Sequence, residues 1–265
     1  MYKTNYHRVS SVEEAASLMA SAEDGRLLAG GHTLIPTMKH RLAAPSDLID
    51  LRHIADLNGI SVTGSKVTIG ACTKHADVAN SSELRAVCPA LSDLAGYIGD
   101  PHVRNMGTIG GSIANNDPAA DYPAAMMALN AVIHTNSRQI DASDFFVGMF
   151  ETALGHDEII TAVTFDAPQS AAYQKFPNPA SRYAMAGVFV ARDGNGVRVA
   201  VTGAGSHGVF RASDMETALS ANFAADALDG VNVDPAELLS DLHASADYRA
   251  SLVKVMAKRA VAAAE

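Results

Sequence analysis

Cysteine is nearly absent from this chain, which has only Cys72 and Cys88 among its 265 residues. An iron–sulfur cluster held by thiolates needs about four cysteines, and a structural zinc site usually takes about two to four. The shortage therefore excludes a cluster ligated by four thiolates of this chain, and it also excludes a disulfide framework. We expect both cysteines to be small buried apolar side chains.

Positive charge and long apolar runs are also scarce. The chain has 20 Lys and Arg against 29 Asp and Glu, a formal net charge of -9, which argues against electrostatic binding of nucleic acid. Apolar runs such as 184–191 are far shorter than the roughly 20 residues of a membrane span. The N-terminal segment MYKTNYHRVS lacks the apolar region of a signal peptide. We therefore expect a cytoplasmic protein with no membrane span and no nucleic-acid partner.

Strand-like and helical segments alternate over the first 165 residues. The capping box Ser11-Val12-Glu13-Glu14 predicts a helix that runs to about residue 21. The apolar run 26–29 ends at two glycines and predicts a buried strand. The pattern continues with a helix at 34–42, a strand at 48–51, a hairpin at 60–63 and 66–70, helices at 74–80 and 89–98, and strands at 131–135, 138–141 and 159–165.

A change of composition follows at 166–179, where three prolines interrupt the chain and place a domain boundary near 167–171. The remaining chain predicts strands at 184–192 and 197–204, joined by the hairpin turn Asp193-Gly194-Asn195-Gly196. Helices follow, the last at about 248–264. This pattern is typical of an α+β tail domain.

Two glycine-rich loops are the candidate ligand sites. The first, Ala29-Gly30-Gly31-His32-Thr33, lies between a predicted strand and helix, where backbone N–H groups can bind an anion. The second, residues 107–112, combines Gly107, Gly110 and Gly111 with hydroxyl donors, and a side chain at Gly110 would fill the space of the ligand. Either loop alone is equally typical of a tight turn. Together they suit a ligand with two linked phosphates.

Asn115, Asn116, Asp117 and Asp121 follow the second loop and could bind ribose or ribityl hydroxyls, although a polar surface loop has the same composition. The ten histidines show no metal-site spacing, and no Ser or Cys stands in a nucleophile motif. The sequence therefore predicts no catalytic acid–base pair and no metal site.

The two loops and their surroundings resemble those of a known family. Residues 28–36 (LAGGHTLIP) with Met38, Lys39, Arg41 and Leu42 look like the first FAD loop of the medium, flavin-binding subunits of molybdenum hydroxylases, the relatives of carbon monoxide dehydrogenase and xanthine dehydrogenase. Residues 100–112 and 117–123 resemble the second FAD loop. Further matches extend the resemblance over essentially the whole chain: 144–148, 173–176, 248–249 and 258–260.

The resemblance implies an α+β fold in which a two-subdomain α/β FAD-binding domain precedes a small α+β C-terminal domain. The FAD-binding domain would span 1–167, with subdomains of about 1–56 and 57–167. The C-terminal domain, similar to that of carbon monoxide dehydrogenase flavoproteins, would span 168–265.

The resemblance also implies the cofactor-binding residues. The pyrophosphate would lie on Ala29, Gly30, Gly31, His32 and Thr33, and Leu34, Ile35 and Pro36 would line the site. From the second loop, Thr108, Gly110 and Gly111 would bind FAD, with Asn115, Asp117 and Asp121 near its hydroxyls. Ile98 and Ile160 would pack on FAD, and Lys175 would approach the flavin. Tyr183 would shield the isoalloxazine ring, or else be an ordinary core aromatic.

By the same resemblance the chain is an oxidoreductase subunit that holds FAD non-covalently. It would pass electrons from the [2Fe–2S] clusters of a small partner subunit to an external acceptor, while a large partner subunit carries the molybdenum cofactor, in a dimer of heterotrimers. The flavin would carry the redox chemistry, which accounts for the absence of an acid–base pair. Two alternatives are a self-contained flavin oxidoreductase of the same superfamily and an assembly subunit that has lost its flavin.

Overall fold

A small parallel sheet forms the N-terminal part of the computed structural model, which describes residues 1–264. Its strand order is β1-β3-β2, and helices α1 and α2 make the connections. The Ser11 hydroxyl accepts a hydrogen bond from the Glu14 amide at 3.2 Å, which confirms Ser11 as the N-cap. The Glu14 carboxylate accepts the amide of Ser10 at 2.8 Å, so the reciprocal bond of the predicted capping box goes to the residue before the cap. The elements are β1 (Asn5–Arg8), α1 (Val12–Ser21), β2 (Gly25–Leu28), α2 (Leu34–Lys39) and β3 (Asp47–Asp50).

Helix α2 ends three residues earlier than the sequence predicts. Arg41 adopts the left-handed conformation, with φ at 59°, and so cannot continue the helix. The Leu42 amide then donates back to the Thr37 carbonyl at 3.0 Å, which closes the last turn.

The middle of the chain forms an antiparallel sheet of order β4-β5-β10-β6-β7, packed with short helices. The predicted hairpin at 60–63 and 66–70 is confirmed. Residues 99–123, a long segment rich in Gly, Asn, Asp and Pro, are ordered, because Asp100 and Thr108 cap short helices within it. The elements are β4 (Ile60–Thr63), β5 (Lys66–Gly70), α3 (His75–Asn80), α4 (Ser82–Val87), α5 (Pro89–Gly96), α6 (Pro101–Arg104), α7 (Ile109–Asn115), α8 (Tyr122–Ala128), β6 (Val132–Thr135), β7 (Gln139–Asp141), α9 (Ala142–Phe145), β8 (Phe146–Gly148), β9 (Glu151–Thr152) and β10 (Ile160–Asp166).

The C-terminal part is an antiparallel sheet of order β11-β12-β13-β14, against which the long helix α11 packs. The predicted turn between β12 and β13 is confirmed: the Asp193 carboxylate accepts the Asn195 amide at 2.7 Å, and Gly196 has a φ of 130°. The elements are β11 (Ser170–Pro177), β12 (Ala184–Asp193), β13 (Gly196–Thr202), β14 (Phe210–Arg211), α10 (Ser213–Ala221) and α11 (Ala246–Ala264).

Strand β12 is buried on both faces, which explains its unbroken apolar run. Phe189 and Ala191 join the core of the middle sheet, together with Tyr173 of β11. The alternate residues Val188 and Val190 pack in the core beneath α11. The middle and C-terminal sheets therefore share one hydrophobic core. Within residues 1–264 no helix is both long and apolar enough to cross a membrane.

Candidate functional site

The two glycine-rich loops lie in contact. A Cβ atom on Gly30 would overlap the carbonyl oxygen of Met106 and lie 2.7 Å from the Cα of Gly107. On the other side, a Cβ on Gly111 would lie 3.8 Å from the Cβ of Ala29. Glycine at position 30 is therefore what lets the loop after β2 approach the loop between α6 and α7. The structure brings together the two loops singled out in the sequence.

The first loop presents a row of unused donors. Gly31 has a φ of 71°, and the backbone amides of Gly31, His32 and Thr33 donate to no acceptor within residues 1–264. His32 and Thr33 are exposed, whereas Leu34 and Ile35 are half-buried against the small apolar cluster of Leu28, Met38 and Leu48. Successive free N–H groups in a turn that contains a left-handed residue can bind an anion. Pro36 is exposed at the edge of this site.

The second loop uses its amides internally. The Ile109 amide donates to Thr73 at 3.1 Å, the Gly110 amide to Ala71 at 2.8 Å, and the Gly111 amide to the Thr108 hydroxyl at 3.1 Å. A Cβ on Gly110 would lie 2.6 Å from the Cβ of Ala71. A side chain at position 110 would therefore collide with Ala71. The expectation that it would fill the space of the ligand is wrong, because this glycine makes room for protein atoms. The Thr108 hydroxyl keeps its proton free to donate.

The polar stretch after α7 is anchored in two ways. Asn116, which has a φ of 41°, donates from its side chain to the carbonyls of Gly148 and Glu151 at 2.8 and 2.7 Å. Asp117 accepts the Ala119 amide at 2.9 Å. Asn116 is therefore a structural anchor, whereas the side chains of Asn115 and Asp117 are half-buried.

The C-terminal sheet forms hydrogen bonds to residues 118–120, which follow α7. The Thr202 hydroxyl lies 3.1 Å from the Pro118 carbonyl and 2.6 Å from the Ala120 carbonyl. The Gly203 amide donates to Pro118 at 2.8 Å, and the Ala184 amide donates to Ala119 at 3.4 Å. The ends of β12 and β13 therefore hold the chain that follows the second loop, a contact that no local sequence pattern indicates.

Asp121 and Lys175 form a buried ion pair. The Asp121 carboxylate is 2.9 Å from the Lys175 Nζ and accepts the Tyr173 hydroxyl at 2.5 Å. Burial raises the pKa of Asp121, and Lys175 and Tyr173 oppose that rise. Lys175 also donates to the Tyr97 carbonyl at 3.0 Å, beside half-buried Ile98. The predicted contact of Asp121 with cofactor hydroxyls stays a prediction, because the contacts present join Asp121 to β11.

Tyr183 lies on the connection between β11 and β12, and 49% of its surface is exposed. Partial burial raises the pKa of its hydroxyl, with further contributions from the charges of Asp117 and Asp121. Its ring therefore lies at the rim of the site, which disfavours the core-aromatic alternative. Ile160, by contrast, is only 6% exposed and packs in the core of the middle sheet.

Sequence reasoning missed His75, which supports the second loop from behind. The ring is 5% exposed, and its Nδ1 has no hydrogen-bond partner within residues 1–264. A Cβ on Gly107 would lie 2.6 Å from its Nε2. Burial, with the nearby charges of His32 and Arg104, lowers the pKa of His75 to about 4. It is therefore neutral near pH 7, and nothing in its local sequence distinguishes it from the other histidines.

Sequence reasoning also missed two arginines, which hydrogen-bond to the backbone carbonyls just after α5. Arg104 donates to the Ile98 carbonyl at 2.9 Å, and Arg182 donates to the Gly99 carbonyl at 3.3 Å. Arg182 has a φ of 64° and directly precedes Tyr183. These contacts tie the segment that carries Tyr183 to the segment that carries Ile98.

The arrangement supports binding rather than acid–base chemistry. In the described part of the chain no group of three or more His, Cys, Asp or Glu side chains could hold a metal ion. Both cysteines are buried as expected, and burial raises the pKa of the Cys72 and Cys88 thiols to about 12. Thiols with such pKa values are poor nucleophiles. What remains is a set of backbone amides, hydroxyls and carboxylates on and after the two glycine-rich loops.

Comparison with known proteins identifies the fold and the family. A family model described as the FAD binding domain in molybdopterin dehydrogenase matches residues 2–168. The medium subunit of nicotine 6-hydroxylase from Paenarthrobacter nicotinovorans is 34% identical over 270 residues, which cover 97% of this chain and 95% of that protein. The medium chain of carbon monoxide dehydrogenase from Afipia carboxidovorans is 36% identical over 273 residues, with coverage of 97% and 95%.

Solved structures agree. A chain of Cu,Mo-CO dehydrogenase in its cyanide-inactivated form superimposes with a TM-score of 0.90 at 34% identity, covering 100% of this chain and 98% of that one. A chain of quinoline 2-oxidoreductase from Pseudomonas putida 86 gives a TM-score of 0.87 at 27% identity, with coverage of 99% and 96%. The α+β fold predicted from the resemblance is confirmed. The chain therefore belongs to the molybdopterin dehydrogenase FAD-binding family, as the flavin-binding medium subunit of a molybdenum hydroxylase.

Proposed function

We propose that this chain binds FAD non-covalently where the two glycine-rich loops meet, and that it passes electrons from a partner subunit to an external acceptor. The observation that carries the proposal is the row of free amides at Gly31, His32 and Thr33 beside the second loop. A pyrophosphate needs several N–H donors on one concave surface, and this donor set fits it.

The remaining site residues extend outward from that pyrophosphate position. We propose that the Thr108 hydroxyl adds a donor, that Asn115 and Asp117 bind sugar or ribityl hydroxyls, and that Tyr183 covers the flavin. The full proposed set is Ala29, Gly30, Gly31, His32, Thr33, Leu34, Ile35, Pro36, Ile98, Thr108, Gly110, Gly111, Asn115, Asp117, Asp121, Ile160, Lys175 and Tyr183. Within it, Gly110, Asp121 and Ile160 act by packing or pairing with protein groups, as their contacts indicate.

FAD, when bound, supplies chemistry that exchanges single electrons and electron pairs, so it can join one-electron clusters to a two-electron acceptor. The residues of this chain bind and orient the cofactor and limit its contact with water. The Lys175–Asp121 pair places a buried charged group next to Tyr97 and Ile98 without adding net charge.

The partners follow from the relatives, whose names describe medium subunits and medium chains. We propose a large partner subunit that carries the molybdenum cofactor and a small partner subunit that carries [2Fe–2S] clusters, assembled as a dimer of heterotrimers. The two buried cysteines support this division, because this chain has too few thiolates for a cluster of its own. We further propose that residues 1–167 are the FAD-binding domain and 168–265 the C-terminal domain.

The test is flavin binding by the purified chain. The folded protein should retain visible flavin absorbance after removal of free FAD, and acid precipitation should release all flavin into the supernatant. A folded chain that stays colourless after incubation with FAD contradicts the proposal, and flavin that stays in the precipitate contradicts non-covalent attachment. Turnover of a small substrate by the isolated chain would instead support a self-contained flavin oxidoreductase.

A further inference from the structure

The end of helix α2 has an unusual backbone. Arg41 adopts the left-handed conformation, with φ at 59°, where helices usually place glycine. The Arg41 amide donates to Met38 at 3.1 Å and the Leu42 amide to Thr37 at 3.0 Å, so the turn is fully hydrogen-bonded. A non-glycine residue here is conformationally costly, and such strain concentrates at functional positions. We call residues Lys39, His40, Arg41 and Leu42 the α2 knob.

The side chains of the α2 knob face solvent. Leu42 is 80% exposed, although a helix end of this kind usually buries the corresponding apolar residue against the last turn. Its partner position in that turn is Thr37, which is polar. The Arg41 guanidinium lies 5.7 Å from the ring centroid of Tyr2, which limits its freedom. The backbone therefore presents an apolar side chain together with an oriented cation.

Charge sets the α2 knob apart from the rest of the chain. Two of its other residues, Lys39 and Arg41, are cations and the third is His40, in a protein whose formal net charge, with histidine counted as neutral, is -9. Within residues 1–264 neither Lys39 nor Arg41 has a carboxylate partner. An exposed leucine surrounded by unpaired cations is complementary to an acidic surface that contains an apolar depression.

The α2 knob is also close to the first loop along one short helix. The Ile35 amide donates to Gly31 and the Thr37 amide to Thr33, so α2 is a direct hydrogen-bonded continuation of that loop. A partner held at the knob therefore contacts the helix that directly follows the proposed pyrophosphate loop. Iron–sulfur clusters ligated by thiolates carry net negative charge, and that charge increases on reduction.

We propose that the α2 knob is the docking contact for the partner subunit that carries the [2Fe–2S] clusters. Leu42 enters an apolar depression of that partner, and Lys39 and Arg41 meet its acidic rim. The assignment rests on the proposed function for the existence of this partner. It goes beyond that function by naming the surface and the chemistry that recognises the partner.

The test uses the full chain loaded with FAD and the purified iron–sulfur partner subunit. We expect Leu42→Ser to weaken their affinity by about tenfold or more, as for truncation of a central interface anchor. The matched control is Leu242→Ser, which removes a leucine that is 91% exposed on the C-terminal part and should leave the affinity unchanged. Equal effects of the two substitutions, or no effect of Leu42→Ser, would overturn the proposal.

Two further variants separate docking from folding. Arg41→Gly relieves the left-handed strain, so the free chain should melt at a higher temperature while partner affinity falls. Arg41→Glu should slow association and reduce its salt dependence, whereas Arg259→Glu, an exposed arginine on α11, should do neither. A stabilised Arg41→Gly chain that binds the partner as well as wild type contradicts the proposal.

Flavin content distinguishes failure of this proposal from failure of the proposed function. All five variants should retain FAD, because none alters the loop amides. A wild-type chain without flavin refutes the proposed function. A wild-type chain that keeps its flavin but does not bind the iron–sulfur partner, or variants that lose affinity only for the molybdenum-cofactor subunit, refute the docking assignment.

Discussion

Gly110 has no side chain because Ala71 occupies the place where a Cβ would lie, at 2.6 Å. The same is true of Gly30, whose Cβ would overlap the Met106 carbonyl. Both glycines therefore act on the cofactor site indirectly, by letting backbones approach one another. A cofactor loop in this chain depends on close contacts between protein segments as well as on contacts with its ligand.

Substitution of Gly110 by alanine tests this at a single residue. We expect Gly110→Ala to lower the free energy of unfolding by about 1–3 kcal/mol, the usual cost of overpacking, and to weaken FAD binding because α7 must shift. Gly230→Ala is the matched control, since a Cβ there meets nothing within 4 Å. Urea unfolding and FAD titration measure both effects. A Gly110→Ala chain that behaves like Gly230→Ala would contradict the packing argument.

His75 makes a second prediction at this scale, on pH. Its pKa is about 4 in the folded chain against 6.5 for an ordinary histidine, so between these values the unfolded chain binds more protons. The free energy of unfolding should therefore rise with pH across this window, and acidification through it should remove about 3 kcal/mol of stability. His75→Phe keeps a ring beside Tyr122 and removes the titration. Its unfolding free energy, measured by urea at both ends of the window, should depend less steeply on pH than that of wild type.

At the scale of elements, the ends of β12 and β13 hold the chain after the second loop. Thr202, Gly203 and Ala184 bond to the carbonyls of Pro118, Ala119 and Ala120. The backbone carbonyls of an irregular buried segment need such donors, since no helix or sheet hydrogen bonds satisfy them. The C-terminal sheet is therefore part of the support of the cofactor site, even though it contributes few of the proposed contacts.

Removal of the Thr202 hydroxyl tests this support. Thr202→Val leaves two buried carbonyls with fewer donors, so unfolding free energy should fall by about 1–3 kcal/mol and FAD should dissociate faster. Thr217→Val, which removes an exposed hydroxyl that bonds within α10, is the control and should change neither quantity. Stopped-flow release of FAD gives the rate. An unchanged release rate in Thr202→Val would show that the Thr202 hydrogen bonds to residues 118 and 120 are not needed for cofactor retention.

At the scale of the whole molecule, one core joins the middle and C-terminal sheets. Tyr173, Phe189, Ala191 and Ala200 pack in the same cluster as Tyr122 and Phe145. We therefore expect the complete chain to unfold in a single transition. A fragment of residues 1–167 should lack fixed tertiary structure, because it leaves that cluster open to water.

Near-ultraviolet circular dichroism and thermal unfolding of the fragment and of the complete chain check this expectation. A fragment with a native aromatic spectrum and a cooperative transition would show that the FAD-binding domain is independently stable. Two separate transitions in the complete chain would contradict a shared core.

Local features of this protein were predictable because their causes are local. The N-cap at Ser11, the hairpin at 60–70 and the turn at 193–196 each depend on residues close in sequence, and the structure confirms them. Strand β11 and the early end of α2 were not predicted as such. Strand β11 is extended because it pairs with β12, which is distant information for a local pattern. Helix α2 ends early because Arg41 is left-handed, a conformation that arginine does not favour and that its sequence therefore does not indicate.

The sequence by itself determined the family of this protein and the location of both glycine-rich loops, because cofactor loops are short and their residues are contiguous. Tertiary structure alone decided which of those residues face a ligand and which face protein. Lys175 meets Asp121 from 54 residues away, and Thr202 meets Pro118 from 84 residues away. Such pairs arise from the packing of one sheet against another, and that packing depends on the shape and burial of every core side chain at once.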